Sequence, residues 1–96
     1  MPVYLIVETK EIIDKAKYCE YIHKVPKTIE KFKGEYLVRG PQIKVISGNW
    51  SPTRLIIVKF KSMEILNAWY NSSEYCTLAS LRKQSAKTNA VVVEGL

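Results

Sequence analysis

Hydrophobic positions fall into two rhythms along this chain. Residues 3–7 form an unbroken apolar run, and in residues 54–61 the apolar side chains occupy both parities: Ile56, Val58 and Phe60 on one, Leu55 and Ile57 on the other. Such runs predict strands covered on both faces. Between them Ile12, Ala16, Cys19, Ile22, Val25, Ile29 and Phe32 step by three or four, the mark of a helix over 11–33 with one buried stripe. Pro26 removes a backbone donor inside it and predicts a kink or division, and Gly34 ends it. Residues 35–40 read as a second strand, bent or bulged at Gly40-Pro41 and continued by 43–46. Ser47-Gly-Asn-Trp50-Ser-Pro52 is turn chemistry around an aromatic residue. Ser62 is a plausible N-cap, and Ser72 or Ser73 a second, so the helical region 63–87 should break near Asn71. Residues 90–94 form the last strand.

Strand, helix, strand, strand, helix, strand is the ferredoxin-like βαββαβ order: a four-stranded antiparallel sheet with both helices on one face, an α+β fold. The length suits a single domain, residues 1–96. Two helices cover only one face of that sheet, yet the strands carry apolar residues on both parities: Tyr4 and Ile6 against Leu5 and Val7, Ile56 and Val58 against Leu55 and Ile57, Val92 against Val91 and Val93. An exposed face of that kind predicts a homodimer packed sheet on sheet.

The segments Tyr36-Leu-Val-Arg39-Gly40, Gly48-Asn-Trp50-Ser-Pro52-Thr-Arg54, Phe60-Lys-Ser62, Ala68-Trp69-Tyr70-Asn-Ser72, Glu74-Tyr75, Leu81-Arg82 and Val93-Glu-Gly95, with Tyr18, Tyr21 and Val25-Pro26, span nearly the whole chain. Taken together they resemble the family called domain-of-unknown-function thirteen-thirty. The resemblance implies a dimeric α+β barrel, similar to antibiotic-biosynthesis monooxygenases, muconolactone isomerases and haem-degrading enzymes. The chain departs from the family at Lys33-Gly34 and Gly40-Pro41, where Gly-Gly pairs are usual; both departures flank the strand of Arg39. Haem-degrading relatives place an axial histidine on the second helix, and residues 75–87 contain none.

Charge changes this picture little. The net charge is +6, but the basic residues are spread along the chain. Only Lys10, Lys17, Lys24 and Lys31, with Lys27 beside them, form a row, and Glu11–Lys15 and Glu20–Lys24 fit a solvated helix face. Lys33-Gly-Glu-Tyr36-Leu-Val-Arg39-Gly40 approaches an RNA-recognition signature but lacks its stacking aromatics, and dimerisation would cover the sheet face RNA uses. Nucleic acid is therefore disfavoured as a partner. No apolar run approaches the roughly 20 residues of a membrane span, and the short apolar start reads as a strand and not a leader, so the expected location is cytoplasmic. Cys19 and Cys76 read as reduced core thiols.

Candidate chemistry is sparse. His23 is the single histidine, with no acid or thiol at ligand spacing, so no metal site is expected. No phosphate loop, dinucleotide fingerprint or catalytic triad is legible, and no cofactor is expected. Arg39 and Arg54 sit on neighbouring apolar strands, where a guanidinium needs a carboxylate or an anionic ligand. Trp50 lies in the loop between them, and Trp69, Tyr70 and Tyr75 at the helix break. With Tyr18 and Arg82 these are the candidate ligand-binding residues of an apolar cavity with a few polar groups. Simpler roles stand beside this one: core packing for Trp69, ordinary hydrogen bonds for the tyrosines, and ion pairs of Arg54 or Arg82 with Glu8, Glu74 or Glu94. The expected function is a homodimer binding a small organic ligand, an anion among the candidates, between sheet and helices. The alternatives are a cofactor-independent monooxygenase or isomerase-like enzyme, with a tyrosine or His23 as its acid–base group, and a structural dimer without ligand. Whether the protein is an enzyme is left open.

Overall fold

The computed structural model describes all of residues 1–96. Its elements are β1 (Val3–Ile12), α1 (Lys15–Lys31), β2 (Glu35–Gly40), β3 (Arg54–Phe60), α2 (Met63–Tyr70), α3 (Ser73–Ser85) and β4 (Ala86–Glu94). The strands form one antiparallel sheet in the order β2-β3-β1-β4. This is the ferredoxin-like α+β arrangement predicted from the sequence.

One face of the sheet carries Val3, Leu5, Ile56, Val58 and Phe60, and onto it pack Val25 and Ile29 of α1, Leu66 and Trp69 of α2 and Tyr75 of α3. Phe60 is fully buried. Gly34 turns the chain from α1 into β2 at this core. A Cβ there would stand 2.6 Å from the Ile29 methyl and 2.9 Å from the Phe60 ring, so only glycine fits. The opposite face leaves Val38, Val91 and Val93 exposed.

The helical break falls where the serines place it. Ser62 Oγ accepts from the Ile65 amide and Ser72 Oγ from the Tyr75 amide, which makes Ser72 and not Ser73 the second cap. Pro26 does not divide α1, which runs unbroken through it.

Several expectations are corrected. β1 runs to Ile12, so Lys10, Glu11 and Ile12 belong to the sheet. After an irregularity between Thr9 and Glu11, Glu11 and Ile12 pair with Lys87 and Ala86. The amides of Ile13 and Asp14 then both donate to the Ser85 carbonyl, and Asp14 caps α1 through the Lys17 amide. Glu11 accordingly pairs with Lys87 rather than Lys15, whereas Glu20–Lys24 forms as expected at 2.7 Å. The late helix start also sets which side of α1 is buried. Tyr18, Val25, Thr28 and Ile29 face the core, while Ala16 and Cys19 are exposed. Both cysteines are free and exposed, not core thiols. β4 begins at Ala86, four residues earlier than expected, because β1 is there to pair with it.

Residues 43–46 do not continue β2. β3 begins at Arg54, paired on this side no further than Leu55 with Gly40, and Pro41 has no amide to extend the ladder. The bulge of β2 lies not at Gly40-Pro41 but between Tyr36 and Val38. Tyr36 pairs with Val58 and Arg39 with Ile56, and both partners face the helices. The extra residue therefore puts Tyr36 and Arg39, three apart in sequence, on the same face.

Candidate functional site

Between the sheet and the helices lies a cavity of about 80 Å³, room for a handful of waters or a small organic molecule. Its walls are built in rows. Arg54 of β3, Thr9 of β1 and Thr88 of β4 stand side by side across the sheet at one end. Next come Arg39, Ile56, Val7 and Ala90, then Tyr36, Val58 and Leu5. Helix α1 closes the top with Tyr18, Tyr21, Val25 and Ile29, and α2 and α3 add Trp69, Tyr70, Tyr75 and Arg82.

Hydrogen bonds fix most of the polar groups. The Tyr18 hydroxyl meets Thr9 Oγ1 at 3.1 Å, both residues buried. Arg82 Nη1 donates to the Tyr75 hydroxyl at 2.9 Å, and that hydroxyl lies 3.3 Å from the Tyr21 hydroxyl, a continuous polar row from α3 to α1. Burial pushes the Tyr21 phenol well above its ordinary value, Tyr75 adding to the shift and Arg82 opposing it. Tyr21 therefore keeps its proton at neutral pH. Burial also raises Tyr36, against the pull of the Arg39 and Arg54 guanidinium groups. Trp69 Nε1 donates to Thr28 Oγ1 at 2.9 Å, and its ring centroid lies 4.2 Å from that of Tyr75. That holds the indole as a wall of the cavity and part of the core at once.

The arginines stand apart. Arg39 lies over the Tyr36 ring, 4.9 Å from its centroid, a cation–π contact. Arg54 Nε is buried without a hydrogen-bond partner. No aspartate or glutamate lines the cavity, and the three ion pairs of the molecule all use lysines. The ion pairs considered for Arg54 and Arg82 are therefore not formed. Glu74 is held by Lys31, and Glu8 accepts from Trp50 Nε1 and Asn89 Nδ2 instead.

Of the eight candidate residues, Tyr18, Arg39, Arg54, Trp69, Tyr70, Tyr75 and Arg82 border the cavity. Trp50 does not. Its indole is tied to Glu8, which points to the other face of β1 from Thr9, and more than half of it is exposed. Tyr36, Thr9 and Thr88 were missed. A tyrosine one turn beyond Tyr18 was a visible signal for Tyr21, whereas Tyr36 needed the bulge. His23 lies outside the cavity, exposed on α1, with Nδ1 2.7 Å from the Cys19 carbonyl oxygen and 3.5 Å from the Cys19 thiol, so a thiol does stand one helical turn away, contrary to the expectation from the sequence. No group of three or more metal-ligating side chains is present.

A family model described as a domain of unknown function, DUF1330, matches residues 2–96. The chain belongs to this family. None of the curated proteins matches its sequence. Among solved structures, this DUF1330 chain is similar to a protein of unknown function from Rhodopseudomonas palustris, with a TM-score of 0.82 at 11% identity over 99% of this chain and 82% of that one. It is similar also to a dimeric ferredoxin-like protein of unknown function from Jannaschia sp. CCS1, with a TM-score of 0.81 at 12% identity, covering 99% and 100%. SnoaB, a cofactor-independent oxygenase from Streptomyces nogalater, gives 0.72 at 5% identity, covering 99% and 93%. At such identities the likeness is one of fold.

Proposed function

We propose that this DUF1330 protein is a cytosolic homodimer, each chain one domain over residues 1–96, that binds a small organic anion in the cavity between sheet and helices. One observation carries the reading: three arginines and no carboxylate border an otherwise mainly apolar cavity. Arginine in such surroundings demands a counter-charge, and a ligand can bring it. The dimer is supported by the apolar outer face, where Val91 and Val93 are 60% and 49% exposed, and by the dimeric state of the Jannaschia protein. The cytosolic setting is in keeping with two free cysteines and with the lack of any helix long and apolar enough to cross a membrane.

Native mass spectrometry of freshly purified protein tests this directly. A dimer carrying a small non-covalent adduct is the expected result. A bare dimer would move the weight to a structural role, and a monomer would remove the dimer from the proposal.

A second reading, a cofactor-independent oxygenase or isomerase-like enzyme, is favoured by the Arg82–Tyr75–Tyr21 row inside the cavity. Of the two phenols Tyr21 keeps its proton, so Tyr75, which Arg82 contacts, is the one placed to exchange a proton with a bound substrate. Oxygen uptake with electron-rich phenols, without added flavin or metal, would support the oxygenase. The same panel without uptake leaves binding as the stronger reading.

A further inference from the structure

The cavity has a polarity from end to end, and it says which way round a ligand lies. At one end Arg54, Thr9 and Thr88 form a row across the sheet, with Tyr18 above Thr9 and Arg39 in the adjoining row. At the other end the lining is Leu5, Val58, Tyr36, Val25, Ile29 and Trp69, with no charged group among them.

The three guanidinium groups are not equivalent. Arg82 donates through Nη1 to the Tyr75 hydroxyl. Arg39 is exposed and stacked on Tyr36. Only Arg54 combines substantial burial with an unpaired donor, its Nε. The hydroxyls near it are already engaged, Thr9 with Tyr18 and Thr53 with the Thr9 carbonyl. A guanidinium uses Nε together with a terminal nitrogen as one of its two-pronged edges, and a carboxylate fits that edge with two parallel hydrogen bonds. A fully solvated donor would have no need of such a partner, but a desolvated one does.

We propose that the ligand is a compact monocarboxylate with an apolar or aromatic body, its carboxylate on the Nε edge of Arg54 and its body against Val58, Val25 and Trp69. This rests on the reading of the cavity as a small-molecule site and adds the class and orientation of what it takes. The Nε edge is covered in this conformation, so binding turns the guanidinium about its own side-chain torsions toward the cavity. A single unpaired buried donor edge suits one negative charge. Phosphate esters and dicarboxylates ask for a second cation; of the other two arginines that border the cavity, Arg39 is exposed and stacked on Tyr36, and Arg82 donates to the Tyr75 hydroxyl. The volume of about 80 Å³ sets the body at the scale of a branched chain or a single ring.

The test is fluorescence titration of a Trp50→Phe background, which leaves Trp69 as the only indole and alters no residue of the cavity. Four probes separate the possibilities: benzoate, its neutral isostere benzamide, phenyl phosphate, and acetate, which has the head without the body. Benzoate should bind at least about tenfold more tightly than each of the others. Arg54→Lys keeps the charge but not the two-pronged edge, and should weaken benzoate about ten- to hundredfold. Arg54→Met should do the same while remaining folded, because it removes an unsatisfied buried donor; its urea midpoint should equal or exceed that of the background.

Benzamide binding as tightly as benzoate would overturn the carboxylate assignment and leave the small-molecule site standing. Tighter binding of phenyl phosphate would overturn it in favour of a phosphate. Benzoate affinity unchanged in folded Arg54→Lys and Arg54→Met would remove Arg54 from the contact. Binding of none of the four would overturn the inference, and an adduct in native mass spectrometry would then decide whether the small-molecule site survives it.

Discussion

Thr28 shows how much one small side chain can carry. Its hydroxyl donates to the Val25 carbonyl and accepts the Trp69 indole N–H, inside the helix–sheet layer. Valine has nearly the same shape and neither function. Thr28→Val should therefore leave the indole donor buried and unpaired, at about 1–3 kcal/mol. Urea unfolding of the two proteins would read this as a lower midpoint with an unchanged slope. An unchanged midpoint would mean that the indole finds another acceptor. The residue scale is also where the sequence was least legible. Tyr18 and Tyr21 point inward because their hydroxyls meet Thr9 and Tyr75, partners 9 and 54 residues away. A helical periodicity that scores hydroxyls as polar turns the stripe toward Ala16 and Cys19 instead. Trp50 was misplaced for a related reason: its partner Glu8 is 42 residues away on β1, with α1 and β2 between them.

Elements were read best where their signals are local. The capping serines, Ser62 and Ser72, fix α2 and α3 by hydrogen bonds three residues long, and the break between them was visible in the sequence. Strand ends were not, because pairing decides them. Residues 11–12 carry an apolar spacing that also suits a helix, and join β1 only because Lys87 and Ala86 lie opposite. Between elements, one of the ties from α1 to α3 is an ion pair of Lys31 with Glu74, beside the Tyr21–Tyr75 and Lys17–Gln84 contacts. The hydrogen bond from Lys31, helped by the Glu74 backbone and Ser73, holds that carboxyl down at about 2, below its ordinary 4.5. A carboxyl lowered on folding contributes stability that is complete above its unfolded value and lost as pH falls through its folded value. The stability difference between the natural chain and Glu74→Gln should thus stay level above about pH 4.5 and close as pH falls towards 2. A difference independent of pH across that window would show that the Glu74 carboxylate adds nothing to the joint between the helices. The pair is exposed, so added salt should shrink the same difference.

For the whole molecule, the sheet decides the outcome. Its helix-side face makes the core and the cavity, while its outer face presents Val38, Val91 and Val93 to solvent. The fold class and the two-sided apolar character of the strands were legible in the alternation of residues, since every second position is simply a different face. The contents of the cavity were legible as residue types but not as a geometry. If the outer face joins two copies, Val91→Lys with Val93→Lys should bring the mass in light scattering down to 11.0 kDa without changing the far-ultraviolet circular dichroism. Neither valine borders the cavity, so benzoate titration of the variant would show whether a lone chain holds a complete site. A dimer persisting with both lysines would place the interface elsewhere.

The bulge between Tyr36 and Val38 acts as a spare residue in the strand that carries Arg39. A one-codon deletion at Leu37 would take out the extra residue and leave Val38 opposite Ile57 and Arg39 opposite Ile56, so strict alternation would return with inside and outside unchanged. Straightening the ladder with all six residues kept would do the opposite: Val38 would stand opposite Ile56, and Arg39 would pass to the outer face. What holds this guanidinium at the cavity is thus the position of a defect in the pairing, and the strand can shorten there without giving up the cation.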